Sequence, residues 1–220
     1  MKGIQFEGLR VVGDPFVLAT KYASEGAHEL LYIDSVASLY GRNQLTRLLE
    51  ETTQDVFIPV TVAGGIKSKG DAERLFRAGA DKVAINTAAI KRPELIKELS
   101  DYYGSQAVVV SVEAKRNGEG WECFTDAGRE KTGLRVEEWI QQAIGLGAGE
   151  ILLTSIDKDG MMNGPDLDLV RRVSGDCPVP LTVGGGISNA RDIEDTFQAG
   201  ADAVAIGAAL HYGRFHMKHE

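Results

Sequence analysis

The sequence predicts an α/β protein of the (β/α)8-barrel type built from two half-barrels, with strand one missing and the last helix truncated. Three observations carry this. Apolar runs alternate with amphipathic segments along all 220 residues, with no linker or break in composition. Pro180 to Ala209, PLTVGGGISNARDIEDTFQAGADAVAIGAA, is anticipated by Pro59 to Ala88, PVTVAGGIKSKGDAERLFRAGADKVAINTA, at a shift of 121 positions (180 less 59). At the same shift Gly26-Ala27-His28-Glu29-Leu30-Leu31 matches Gly147-Ala148-Gly149-Glu150-Ile151-Leu152. An open doubly wound sheet also fits the alternation, but only a barrel gains from two equal halves closing on each other. One domain, 1–220, with halves of about 1–104 and 105–220, follows.

Met1 to Gly13 reads as the end of an element and a loop, with no strand before it. Asp14 caps a helix to about Glu25, with Pro15 at the first helical position, where its missing N–H costs nothing. Leu30 to Ile33 is a short strand closing on Asp34, and Asn43 to about Thr53 is a helix. Strand Val60 to Val62 runs into Gly64-Gly65, and a helix follows from Lys69 to Ala78. Strand Lys82 to Ile85 ends at Asn86-Thr87, and Pro93 to Tyr103 is helical. Ala107 to Val112, apolar throughout, is a strand buried on both faces and ends at Glu113-Ala114-Lys115. Asn117 to Thr132 is an excursion in which Trp121 to Phe124 suits a hairpin strand. Val136 to Leu146 is a helix, Ile151 to Thr154 a strand, Ser155 to Gly164 a loop, and Pro165 to Val173 a helix. The stretch from Pro180 completes seven strands. The repeat puts the partner of Ala107 to Val112 before Met1, and the chain stops at His216 to Glu220, short of a full last helix. Strands two and eight are then expected to expose unpaired edges and to drive homo-oligomerisation, which light scattering reads as a mass above the monomer.

Composition excludes several classes. A net charge of −8 argues against a nucleic-acid partner. No apolar run nears the roughly 20 residues that span a bilayer, and no signal peptide is evident. Cys123 and Cys177 lie far apart and suit reduced thiols in a cytoplasmic protein. No histidine or cysteine cluster has metal-ligand spacing, and SIDKDGMMNG has only part of a calcium loop, so neither metal nor cofactor is expected.

The active face of a barrel lies at the C-terminal ends of its strands. That face collects Asp34, Gly64, Gly65, Asn86, Thr87, Glu113, Ser155, Asp157, Asp159, Gly185, Gly186, Gly207 and Ala208. Glycines after a strand either permit tight turns or let a phosphate approach bare N–H groups. Two symmetry-related pairs favour phosphate, and a long ligand with a phosphate at each end. Glu113 suits a general acid or base, with Lys115 near enough to hold it ionised. Asp157 and Asp159 lie in a loop suited to substrate. At the opposite end Glu29, Lys82 and Glu150 open strands and point into the barrel's base, as a structural salt-bridge layer or as a polar gate.

VTVAGGI, GADKVAINTAAI, GSQAVVVSVEAKR, GAGEILLTSIDKDG and LTVGGGI, in this order, resemble the cyclase subunit of imidazole glycerol phosphate synthase, over nearly the whole chain. The resemblance implies a cytoplasmic lyase of histidine biosynthesis that takes ammonia from a glutaminase partner. Its substrate is a bis-phosphorylated aminoimidazole-carboxamide ribonucleotide with a ribulosyl arm, cleaved and cyclised to imidazole glycerol phosphate and the carboxamide ribotide. It implies that Glu29, Lys82 and Glu150 are three of four ammonia-gate residues and that Lys2 belongs to the first active-site loop. Glu113, Lys2 and Asp159 are then the catalytic candidates. Two departures stand out: the family's first catalytic aspartate and its gate arginine, both of strand one, have no counterpart, and its second aspartate falls on Glu113. Such losses also resemble a paralogue that delivers ammonia to make acetamidino sugars of surface polysaccharides, or an inactive barrel partner.

Overall fold

The computed structural model describes residues 2–34 and 43–217, with side chains throughout except at 2, 3, 7–10, 43 and 44. The first elements correct the sequence reading. Residues expected to form a loop make a hairpin, β1 (Lys2–Ile4) and β2 (Glu7–Arg10), paired antiparallel. Its two-residue turn is Gln5-Phe6, both left-handed (φ 50° and 63°), the geometry that matches the twist of a hairpin. Neither is a residue that advertises such a turn, and no alternation marks the strands. The hairpin rests on the barrel instead: the Gln5 N–H donates to the Asp159 carbonyl at 2.8 Å.

Helix α1 (Pro15–Ser24) starts as read, with the Asp14 side chain accepting from the Val17 N–H at 3.0 Å. The chain then alternates β3 (Leu30–Ile33), α2 (Asn43–Asp55), β4 (Val60–Ala63), α3 (Lys69–Arg77) and β5 (Lys82–Ile85). Helices α4 (Thr87–Lys91) and α5 (Glu94–Tyr103) lead to β6 (Val108–Asn117). Strands β7 (Gly120–Thr125) and β8 (Glu130–Arg135) precede α6 (Val136–Gly145), β9 (Glu150–Ser155) and α7 (Leu167–Ser174). The chain finishes with β10 (Leu181–Gly184), α8 (Ala190–Gln198), β11 (Ala203–Ala205) and α9 (Ala208–His211).

Seven strands lie parallel in the order β11-β10-β9-β6-β5-β4-β3, a nearly closed barrel of the expected class. The helical ring bridges its two ends: Tyr22 of α1 and His211 of α9 share a hydrogen bond at 2.8 Å between Oη and Nδ1. The largest core lies between strands and helices, where Trp139, Leu95, Ile96, Leu99 and Ile140 are buried. A separate, smaller cluster lines the lumen: Ala63, Ala84, Val109 and Leu152, with Leu31 and Ala205 against it. Barrel interiors are usually filled by bulky branched side chains. Three alanines in this layer leave less of the lumen filled.

The duplication reaches individual hydrogen bonds. Asp81 Oδ2 accepts from the Val60 N–H and Asp202 Oδ2 from the Leu181 N–H, each at 2.8 Å. Asp71 caps the Lys67 N–H at 3.0 Å as Asp192 caps the Ser188 N–H at 2.8 Å. These aspartates are the matching acidic positions of the repeat, so the pattern preserves bonds that fix each strand start and helix entry.

Strand β6 corrects a second expectation. It does not end at Glu113 but continues to Asn117, because beyond Val112 it also pairs antiparallel with β7 (Lys115 opposite Glu122, Asn117 opposite Gly120). Strand β8 then pairs with β7, so the excursion is a three-stranded extension standing above the barrel mouth.

Candidate active site

Strand alternation decides which side chains enter the lumen. On β6, Val109 lies in the lumen cluster, so Ser111 and Glu113 follow on the same face. Across the ladder Val109 pairs with Glu150 and Glu113 with Thr154. Four residues at about 3.3 Å each place the base of the lumen roughly 13 Å below Glu113.

At that base Lys82 Nζ donates to Glu29 Oε2 at 2.8 Å and to Glu150 Oε2 at 2.7 Å. Thr182 Oγ1 donates to Glu150 at 2.8 Å, and Thr61 Oγ1 donates to Glu29. Burial pulls the Lys82 ammonium down, but its hydrogen bonds to Glu150 and Glu29 outweigh that and hold it above the usual lysine range. The three residues read as one charged layer therefore do meet.

At the mouth Glu113 is walled in. Its Oε2 accepts from the Gly128 N–H at 2.8 Å, and it shares a further hydrogen bond with the Asn86 side chain. Asn86 Nδ2 donates to the Phe124 carbonyl at 3.1 Å, and the Asp126 N–H donates to Thr87 Oγ1 at 3.0 Å. Asn86, Thr87 and Glu113 together clasp the β7–β8 turn. Burial raises the Glu113 carboxyl to about 7, more than the Gly128 and Asn86 hydrogen bonds lower it, and the charges of Asp126 and Asp159 push the same way. This corrects the expectation that Lys115 keeps it ionised. Lys115 is exposed, its Nζ 5.8 Å from the centre of the Phe124 ring, and it is not among the groups that set the Glu113 equilibrium. A carboxyl divided between its two forms near neutral pH suits proton transfer in either direction.

The remaining candidates divide. Asp159 is buried beside Glu113, beneath the β1–β2 hairpin. Ser155, one residue past inward-facing Thr154, turns its hydroxyl to Asp166 at 3.3 Å. Asp157 Oδ2 accepts from the Arg116 N–H at 2.8 Å, holding the extension's base. Asp34 N–H donates to the Ala63 carbonyl, which brings the β3 end against the first glycine turn. Gly64, Gly65, Gly185 and Gly186 all have positive φ, from 68° to 105°. A Cβ on Gly64 would stand 2.3 Å from the Asp34 carbonyl oxygen, and on Gly186 2.1 Å from that of Gly164. Gly64, Gly185 and Gly186 are thus required by close backbone approach, and the pairs leave two side-chain-free turns on opposite halves. Asn86 and Gly207, at matching positions, each precede a short helix, beginning at Thr87 and Ala208. The Lys2 side chain lies outside the described residues.

Sequence reasoning missed Asp126 and Gly128, which reach Glu113 from the β7–β8 turn, and Phe6, which packs on Gly128. The run Thr125-Asp126-Ala127-Gly128 is a recognisable turn, but nothing in it gives the distance to Glu113. Among the described residues no His, Cys, Asp and Glu group is arranged to hold a metal, and no helix is long and apolar enough to cross a membrane.

A family model described as "Histidine biosynthesis protein" matches residues 1–216. The chain belongs to this family. Within it, the chain is 54% identical to "Imidazole glycerol phosphate synthase subunit HisF" of Legionella pneumophila over 188 residues, 85% of this chain and 89% of the relative. Subunits of the same name from Myxococcus xanthus and a Nocardioides species are each 45% identical over 97% of this chain, covering 85% and 86% of the relative. The two glycine turns, the lumen and the carboxyl at its mouth are thus features of a histidine-biosynthesis family member, a cyclase-type enzyme.

Proposed function

We propose that the chain is the ammonia-using cyclase subunit of imidazole glycerol phosphate synthase, with the duplicated barrel 1–220 as its single catalytic domain. A glutaminase partner supplies ammonia at the base of the barrel. The Glu29–Lys82–Glu150 layer passes it into the alanine-lined lumen, which opens on Glu113. The substrate, a bis-phosphorylated aminoimidazole-carboxamide ribonucleotide, spans the mouth with one phosphate at each glycine turn. Glu113 exchanges a proton with the reacting centre as ammonia adds, the ribotide is released and the imidazole ring closes. Asp159 and Lys2 are the other catalytic candidates. Free thiols at Cys123 and Cys177 suit a cytoplasmic setting.

The observation that carries this reading is the stacking of three features along one lumen: a lysine held between two carboxylates, a layer of small residues, and a carboxyl that titrates near neutrality. Filled lumens and isolated ion pairs are common; this sequence of layers is a route that ends at an acid–base group.

Lys82→Met tests the route. Removing the cation leaves Glu29 and Glu150 facing each other, at a cost of about 1–3 kcal/mol in urea unfolding, discounted for their partial exposure. With the glutaminase partner present, glutamine-driven turnover should change at least severalfold relative to turnover driven by ammonium salt. An unchanged ratio would show that ammonia does not pass Lys82.

A further inference from the structure

The extension above the barrel mouth carries a feature that the proposed reaction leaves unused. Lys115, Arg129 and Lys131 line a cavity of about 460 Å³, bordered by Phe124 and Glu122. In a chain of net charge −8, exposed cations elsewhere are mostly paired, as Arg77 is with Glu73, Lys97 with Asp101 and Arg92 with Glu98. None of these three cations forms an ion pair among the described residues. The one carboxylate in the wall does not neutralise them. Glu122 is buried, with Oε2 accepting from Asn117 Nδ2 at 3.0 Å and Oε1 from the Gly133 N–H at 2.9 Å.

One of the cations is held by an aromatic face. Lys115 Nζ lies 5.8 Å from the Phe124 ring centre, whereas Arg116, next along β6, turns its guanidinium to Trp121 on the opposite face of the ladder. Phe124 is only 5% exposed, so it supports the cation and leaves no free face on which a base could stack. The antiparallel ladder sets the spacing: Lys115 pairs with Glu122 across β6–β7, and Lys131 with Phe124 across β7–β8. Lys115 of β6, Lys131 of β8 and Arg129 of the turn before β8 thus border one concavity, and Arg129 brings a guanidinium fork suited to a bidentate oxyanion.

We propose that this basin is a third anion site, which takes the phosphate group of a small organic phosphate and is separate from the two glycine turns. Its size fits a phosphate-bearing small molecule and not an extended chain. The protein's net negative charge argues against a polynucleotide.

Inorganic pyrophosphate is the probe, followed by amide NMR of the intact chain. Gly128, Arg129 and Lys131 report the basin, and Gly185 and Gly186 report a glycine turn. The basin amides should saturate with a curve of their own. In Arg129→Glu/Lys131→Glu that curve should weaken at least roughly tenfold, as expected for two lost charge-assisted contacts. The Gly185 and Gly186 responses should persist in the variant, which also shows that it is folded; Lys131→Gln serves if the double variant is not. Basin shifts that stay linear into the millimolar range, or a curve unchanged by either variant, would overturn the proposal. Saturation at the basin without any response at Gly185 and Gly186 would support it while counting against the phosphate role of the glycine turns.

Discussion

Glu113→Gln is expected to stabilise the protein at about pH 8 while removing most of its turnover. The sign follows from the raised carboxyl. In the unfolded chain the group ionises near 4.5, and in the fold near 7. Between those values the folded state binds more protons than the unfolded one, so stability falls as pH rises through this window and stays reduced above it. At about 1.4 kcal/mol per unit the burden is roughly 3 kcal/mol at pH 8. Glutamine carries no charge to desolvate and keeps an oxygen for the Gly128 N–H. Urea unfolding should therefore give a variant more stable than wild type by about 1–3 kcal/mol at pH 8, the gain closing toward zero at about pH 4.5. Turnover should fall roughly 100- to 10,000-fold, the usual range for a lost acid–base group. A variant that loses turnover and also stability at pH 8 would mean that Glu113 is a structural ion, not a strained functional one.

Gly186→Ala should be strongly destabilising for a single added methyl. At φ 85° the new side chain is strained, and its Cβ would fall 2.1 Å from the Gly164 carbonyl oxygen, backbone that can yield only by moving the loop. A loss of about 2–4 kcal/mol in urea unfolding is expected, with a raised KM for the phosphorylated substrate. Gly70→Ala provides the control. Gly70 lies in α3, its nearest new contact is Ser68 Oγ at 3.9 Å, and its helical position favours alanine by about 0.5–1 kcal/mol. Equal effects at the two positions would remove the argument that the second glycine turn is shaped by close backbone approach.

Much of the barrel could be read from the repeat because the repeat preserves bonds as well as hydrophobicity. Asp81 and Asp202, or Asp71 and Asp192, recur since each must satisfy the same backbone N–H in its half. Glu113 was legible because it follows the all-apolar run Ala107 to Val112, at the C-terminal strand end where the active face of a barrel lies. Its charge state was not legible, because burial sets it and two of the groups that adjust it, Asp126 and Gly128, are folded over the mouth by a ladder whose register the sequence does not display. Local reasoning pointed instead to Lys115, two positions along the strand, whose ammonium lies over Phe124. Ser155 shows the opposite difficulty. A strand end can be placed only to within a residue or two, and a shift of one exchanges the inward Thr154 for a serine bonded to Asp166. The Gln5-Phe6 hairpin was hidden for a third reason: its stability comes from Asp159 and Gly128 on the barrel, not from its own residues.

The most direct test of Glu113 acting at the end of an ammonia-bearing lumen is ammonium-driven turnover of the aminoimidazole-carboxamide ribonucleotide by the purified chain, without glutaminase, across pH. Formation of imidazole glycerol phosphate, with a titration in kcat/KM near pH 7 that disappears in Glu113→Gln, is the predicted result. Product formed at the same rate and with the same pH profile by Glu113→Gln, or no product from the wild-type chain at any pH, would contradict it.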